Sequence, residues 1–265
     1  MATSHGVLQT PRVVLVITFP LASLILYLVL SLGCITDSLS GISPVIARSD
    51  GPVNLGGQIV QVDLRVGFFG LCFGPAPVNC TGSSPILNPK PQSQLASEIP
   101  LDKGGGNFAL ASLAQGLQSS LVVLSGIPLL LLLIASLIAN LVQLYFNSLN
   151  RTTSTPTLNT YSNGGSGGNN PLRRERNAQA ALFARALDWA AAAGAATSFA
   201  AYQAVVSAAT RLLRTTAAGV PLNVSAGGTA SSVFAAVVGL TAAGAVVNTV
   251  LAAMDAGVEG YFGGV

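Results

Sequence analysis

The side chains whose chemistry could define a reactive site in this sequence are three cysteines and one histidine. Cys72 and Cys80 flank a segment that contains Pro75 and Pro77. In an oxidising compartment, two thiols placed in this way can form a disulfide across a tight turn between two short strands. Closing so small a loop stabilises a fold by roughly 2.5 kcal/mol in the chain-entropy treatment. The spacing predicts a hairpin stapled by Cys72 and Cys80.

The remaining reactive side chains do not form a catalytic or metal-binding pattern. His5 lies near the N-terminus and is the only histidine, which removes most acid-base and metal constellations. Cys34 lies near the end of the first apolar run, where we expect a buried, inert thiol. The sequence therefore predicts a protein that is not an enzyme and that has no metal site and no cofactor.

Two glycines flank a pair of phenylalanines just before the first cysteine of the hairpin. Gly67 and Gly70 would let backbones approach or bend where a side chain would clash. We expect Phe68 and Phe69 to point to opposite faces of a strand, with one ring in the core and one toward the membrane or a partner. The alternative interpretation is a stapled surface hairpin without a recognition role.

The composition is that of a membrane protein. Charged residues make up 8% of the chain, against roughly a quarter in soluble domains. The net charge of +3 and the absence of a basic, aromatic-interleaved cluster give no reason to expect a nucleic-acid partner. Four apolar stretches are long enough to cross a lipid bilayer. The predicted transmembrane helices are residues 13–35, 119–146, 187–210 and 230–254.

The last two of these stretches are rich in alanine and glycine. Such sequences are only marginally hydrophobic, so a soluble helical pair is the alternative for them. Small residues also allow close helix packing within lipid, which favours a bundle. Asn140, Gln143, Gln203 and Asn248 are expected to form hydrogen bonds between helices. The third span is uncharged from Trp189 onward, and the uncharged parts of the four spans contain no Asp or Glu, so we do not expect a carboxylate-lined pore. Arg185 and Asp188 could pair along one helix.

Basic residues predict the orientation of the chain in the membrane. Arg12 precedes the first span and five arginines lie between the second and the third, and both groups indicate the cytosol. Both termini would then be cytosolic. The predicted cytosolic segments are residues 1–12, 147–186 and 255–265. The predicted extracellular segments are residues 36–118 and 211–229.

Each of these segments carries further expectations. Residues 147–186 should be mostly disordered and should end in the start of the third helix, at Pro171. Asn79 and Asn223 begin glycosylation sequons on the external side. The alternation over Ile59–Val66 predicts one half-buried strand. The second helix should begin near Asn107, outside the lipid.

These features together predict a mainly α-helical membrane protein. The expected architecture is an up-and-down bundle of four transmembrane helices. A small extracellular antiparallel β-sheet from the first external loop would cap this bundle, with the bridge between Cys72 and Cys80 at its edge.

One motif on this architecture resembles a known family. The pattern is glycine, two aromatic residues, glycine, any residue and cysteine, followed by a second cysteine, within a large first external loop. It is carried by Gly67, Phe68, Phe69, Gly70, Cys72 and Cys80. It is similar to the fungal claudin-like family of calcium regulators and membrane-fusion proteins that act in mating.

The resemblance implies a claudin-like, multi-pass plasma-membrane protein that supports low-affinity calcium influx and helps apposed cells fuse. Besides the lipid bilayer, its implied partner is a second copy of the chain or a calcium channel. The motif lacks the tryptophan of animal claudins, so paracellular sealing is not implied. The alternative function is a structural four-span scaffold that organises cortical membrane domains without a role in ion flux.

Overall fold

The structure is a computed structural model of the chain. It describes residues 9–35, 37–49, 53–55, 58–61, 63–74, 79–81, 106–152, 171–216 and 222–262. The predictions for His5, for the turn with Pro75 and Pro77 and for residues 153–170 lie outside these ranges. The chain forms two compact units. The first unit contains residues 1–23, 131–193 and 239–265, and the second contains residues 24–130 and 194–238.

Five α-helices make up most of the described chain. The second and third are joined without a break by a π-helical turn, Val122–Gly126. The helices are α1 (Gln9–Ser31), α2 (Gly106–Leu121), α3 (Ile127–Thr152), α4 (Pro171–Thr216) and α5 (Gly228–Phe262). As the sequence indicates, α2 begins next to Asn107 and α4 begins at Pro171. Helix α5 continues through residues 255–262, for which the sequence predicts a cytosolic tail after the span.

Three stretches in these helices are long and apolar enough to cross a membrane. They are Val13–Ser31, Ala114–Phe146 and Gly228–Met254. Large apolar side chains are exposed along them, such as Ile25 and Leu131, which are 52% and 61% exposed. A lipid bilayer is the environment that accommodates such surfaces. Helix α4 is not among the three, because Ala, Gly, Ser and Thr make up much of its apolar stretch.

Five strands form one antiparallel sheet in the second unit. Four come from the first predicted external loop and one from the second. They are β1 (Val45–Ser49), β4 (Asp63–Val66), β5 (Leu71–Gly74), β6 (Asn79–Thr81) and β7 (Leu222–Ala226), in the order β6-β5-β4-β1-β7. Strands β2 (Val53–Leu55) and β3 (Gln58–Val60) pair with each other as a separate hairpin. The prediction of a small antiparallel sheet is confirmed.

Two details of the sheet differ from the sequence prediction. The single strand expected over Ile59–Val66 is wrong, because β3 pairs with β2 while β4 pairs with β1. Within β4 the alternation holds for Leu64, Arg65 and Val66, of which only Arg65 is partly exposed, whereas Asp63 is buried as well. Strand β7 was not predicted at all. It pairs with β1 over five residues, from Val45 opposite Ala226 to Ser49 opposite Leu222.

Candidate functional site

The glycine-phenylalanine motif forms the turn of the hairpin between β4 and β5. Val66 and Leu71 are the last paired residues, and the Gly67 N–H donates a hydrogen bond of 2.8 Å to the Gly70 carbonyl. The expectation that Phe68 and Phe69 lie within a strand is therefore wrong. Both residues occupy the bend that reverses the chain.

Both glycines of the turn lie directly against the segment that follows α1. A Cβ atom on Gly67 would collide with the Gly33 carbonyl oxygen, and one on Gly70 with the Cys34 carbonyl oxygen. Cys34 has a φ of 65°, in the left-handed region, which helps the chain to turn directly after the helix. The expected close approach of backbones at both glycines is present. Residues with a side chain would separate the hairpin from the end of α1.

The two phenylalanines of the turn have different environments. Phe68 is fully buried, and its ring meets that of Tyr27 in an edge contact with centroids 6.3 Å apart. The ring of Phe68 also lies against Gly126, where its Cδ1 would be 3.4 Å from an added Cβ atom. Phe69 is partly exposed. One ring is thus in the core, as expected, and the other reaches the surface of the second unit.

Tyr27 connects α1 to the π-helical turn. In this turn the Ile127 N–H donates to the Val122 carbonyl, one residue further back than in an α-helix. The Tyr27 hydroxyl donates to the carbonyl oxygens of Gly126 and Ser125, at 2.7 and 3.1 Å. Nothing in the apolar pattern of this stretch indicates a π-turn. The only local sign of it in the sequence is the pair of small residues, Ser125 and Gly126, whose carbonyl groups accept these bonds.

The predicted disulfide between Cys72 and Cys80 is present. The two residues are directly opposite each other on β5 and β6, at the edge of the sheet. Cys34 is a free, fully buried cysteine that packs against this bridge. Burial raises the pKa of the Cys34 thiol from 9.0 to about 12, although the positive charge of Arg65 opposes the shift. This agrees with the expectation of an inert thiol.

A small network of charged side chains joins β4 to β1 and to the turn before β1. Asp63 accepts from Arg48 Nε at 3.1 Å and from Arg65 Nη2 at 3.3 Å. Arg65 Nη1 also donates to the Ser40 carbonyl oxygen at 3.0 Å. The Asp63 side chain is 12% exposed and that of Arg48 is 55% exposed, so solvent screens the first pair more than the second. Arg65 therefore links the sheet to the turn that precedes it.

The two predicted sequons begin on the two outermost strands of the sheet. Asn79 is the first residue of β6, and Asn223 lies on β7 with an exposed side chain. In the sheet order these strands are the two edges. An edge strand presents unpaired backbone groups, and a bulky modification there hinders pairing with another chain. Their glycosylation remains a prediction.

The first unit contains a buried polar cluster on three helices. Its members are Ser136 and Asn140 on α3, Asp188 on α4 and Asn248 on α5, all of them at most 6% exposed. The Asp188 carboxylate accepts from Ser136 Oγ, from Asn140 Nδ2 at 2.8 Å and from Asn248 Nδ2 at 2.6 Å. Asn248 Nδ2 also lies 3.2 Å from Asn140 Oδ1. The three helices are thus joined at one carboxylate.

This cluster corrects the prediction that Arg185 and Asp188 pair. Arg185 Nε donates instead to the Ala181 carbonyl at 3.1 Å, and no ion pair joins the two residues in the part of the chain that the structure describes. The expected bonds between helices are present for Asn140 and Asn248, and Gln203 Nε2 contacts Ser231 Oγ at 3.2 Å. In the same described ranges, the buried Gln143 Oε1 has no hydrogen-bond partner.

Comparison with known proteins returns no match, either to a family model or to a curated protein. Within the residues described, no group of three or more His, Cys, Asp or Glu is placed to hold a metal ion.

Proposed function

We propose that the chain is a four-span, claudin-like protein of the plasma membrane. It regulates low-affinity calcium influx and membrane fusion during mating or cell fusion, through contacts that its external sheet makes with a second copy or with a calcium channel. The observation that carries the proposal is the anchoring of the turn between β4 and β5, of which β5 also carries Cys72 of the disulfide. This turn is fixed to the end of α1 by Gly67 and Gly70, and to α1 and the π-turn by Phe68.

The pairing of β1 with β7 supports α4 as the fourth span. Strand β1 follows α1, the strands β4 to β6 precede α2, and β7 precedes α5. All of them belong to one sheet, so they lie on one side of the membrane. The continuous helix of α2 and α3 takes the chain to the other side. The chain must return before β7, and α4 is the helix between these points.

The proposed orientation places the sheet outside the cell and both termini in the cytosol. The disulfide between Cys72 and Cys80 supports it, because such bonds persist in oxidising compartments. The exposed sequon asparagine on β7, Asn223, supports the same side. The arginines that precede the apolar part of α4 then face the cytosol, in accord with the positive-inside bias.

In this proposal the hairpin is a rigid platform for recognition. Phe68 is buried and fixes the turn, while its neighbour Phe69 is partly exposed. An aromatic ring that is held at a surface is well suited to bind a partner, because little conformational freedom is lost on contact. Phe69 is therefore the residue to which we assign the contact.

Replacing each phenylalanine by alanine separates recognition from folding. We expect Phe69→Ala to lower calcium uptake and cell fusion in mating cells while the amount of protein at the cell surface stays normal. Phe68→Ala is the matched control for folding and should lower the surface amount itself, since it removes a buried ring. Normal uptake and fusion with Phe69→Ala at a normal surface amount would reject the proposal. Stable patches in vegetative cells would then favour the scaffold function.

A further inference from the structure

The Asp188 carboxylate is buried among helices, and in the described part of the chain it has no basic partner. Its three hydrogen-bond donors, Ser136, Asn140 and Asn248, are all uncharged. Among the described residues no Lys or Arg forms an ion pair with it. A carboxylate in an apolar environment is costly unless its charge is compensated, and ionisable groups within transmembrane helices commonly mark ion pathways or binding sites.

A small cavity adjoins this carboxylate. It is lined by residues of four helices, which include Val16 and Pro20 of α1, Ser136 of α3, Asp188 of α4 and Thr241 of α5. Its volume of about 10 Å³ is close to the space that one water molecule needs. Ser136, Asp188 and Thr241 are each at least nine-tenths buried. The polar part of the wall is therefore withdrawn from solvent.

Pro20 adds a second source of negative potential to the same cavity. Proline has no N–H, so it cannot donate the hydrogen bond that the Val16 carbonyl would receive in an uninterrupted α-helix. Both residues line the cavity. Helix α1 is continuous through Pro20, and a backbone carbonyl that lacks its helical donor keeps a lone pair that can bind a cation. This feature is independent of the Asp188 cluster, because it arises on a different helix and from a different residue type.

We propose that the cavity binds one monovalent cation, Na⁺ or K⁺. Its ligands would be the Asp188 carboxylate, the Val16 carbonyl oxygen and the hydroxyl oxygens of Ser136 and Thr241. A single positive charge balances the single carboxylate. Ca²⁺ normally takes six to eight oxygen ligands and would leave one positive charge uncompensated here. The proposal rests on the part of the proposed function that puts α4 in the bilayer as the fourth span, and it does not depend on calcium regulation or fusion.

The test is the thermal stability of the purified full-length protein in detergent micelles. It is measured in NaCl, KCl and N-methyl-D-glucamine chloride at equal ionic strength. A ligand that binds only the folded state raises Tm as its concentration increases. We expect a saturable rise in Tm with Na⁺ or K⁺ over the bulky organic cation. Equal Tm values in all three salts would overturn the proposal and leave a cavity that holds water only.

Two variants locate the site. Asp188→Asn removes the charge and should abolish the dependence on the cation. Pro20→Ala keeps Asp188 and supplies an N–H for the Val16 carbonyl, so it should weaken the dependence without loss of folding. Gln203→Ala is the control. It changes a polar residue of α4 in the other unit and should leave the dependence of Tm on the cation unchanged. An unchanged cation dependence in Pro20→Ala would overturn the site as proposed, even if Asp188→Asn failed to fold.

Discussion

The hydroxyl of Tyr27 donates a hydrogen bond of 2.7 Å to the carbonyl oxygen of Gly126. Tyr27 lies on the first predicted span and Gly126 ends the π-turn of the second, so this bond joins two elements that are far apart in the sequence. Phe68 of the hairpin packs against both residues. The hairpin, α1 and the π-turn therefore meet at one buried point in the second unit.

Tyr27→Phe tests the contribution of this bond to stability. The variant keeps the ring and its contact with Phe68, but it leaves two buried carbonyl groups without this donor. We expect the free energy of unfolding to fall by about 1–3 kcal/mol. The measurement is unfolding in mixed detergent micelles, with Tyr145→Phe as the control because the Tyr145 side chain is exposed. If both variants were as stable as the unchanged protein, the bond would have no energetic role.

Deletion of Val123 tests the π-turn. A π-turn contains one residue more than the α-helix that could replace it, so removing the exposed Val123 should leave a continuous helix with α2 and α3 in register. We expect the surface amount and the disulfide to be retained. Deleting Leu131, an exposed residue within α3, should instead rotate the preceding helix by about 100° and abolish folding. Equal damage from both deletions would contradict the described turn.

Gly70→Ala tests the close approach of the hairpin to the end of α1. The added methyl group would collide with the Cys34 carbonyl oxygen, and backbone atoms cannot move aside as a flexible side chain can. We expect less protein at the cell surface and a smaller fraction with the disulfide between Cys72 and Cys80, measured by gel shift after thiol labelling. Gly41→Ala is the matched control, since a Cβ atom there meets no other atom within 4 Å. Similar behaviour of the two variants would argue against the contact.

The buried thiol of Cys34 predicts a dependence of stability on pH. Its pKa is raised to about 12 in the folded protein, from an ordinary value of 9.0, so the folded state keeps its proton where the unfolded chain has lost it. The contribution of the thiol to the free energy of unfolding is therefore complete below pH 9, and it falls as the pH rises toward 12. The steepest decline is about 1.4 kcal/mol per pH unit.

Cys34→Ala should remove this part of the decline. Unfolding of the variant and of the unchanged protein is compared at about pH 8 and about pH 10, where other groups titrate equally in both. We expect the difference in unfolding free energy between the two proteins to shrink as the pH increases. A constant difference over this range would contradict the prediction, because the unfolded chain would then not lose the Cys34 proton at a lower pH than the folded protein.

The sequence is sufficient to predict the features that depend on local pattern. Long apolar runs predict the helices, and Pro171 predicts the start of α4. The spacing of Cys72 and Cys80 predicts the stapled hairpin, because two cysteines on adjacent short strands can lie directly opposite each other. The glycines of the turn were expected to permit close backbone contact. The sequence could not indicate which backbone they contact.

The missed features depend on partners distant in the sequence. Strand β7 has no strong pattern of its own and is fixed by pairing with β1, more than 170 residues earlier. Asp188 has Arg185 one turn away, which made a local pair plausible. Its actual partners are Ser136, Asn140 and Asn248, which are 48 to 60 residues away. Periodicity reports one helix or strand at a time, so it cannot choose among such partners.

The most direct test of the account is the sidedness of three engineered cysteines. Ser38→Cys, Asn223→Cys and Glu175→Cys are placed at exposed positions before β1, on β7 and near the start of α4. A membrane-impermeant maleimide applied to intact cells should label the first two at once and the third only after permeabilisation, because α4 crosses the membrane in the proposed architecture. Labelling of all three from outside would mean that α4 does not cross, and would contradict the four-span architecture.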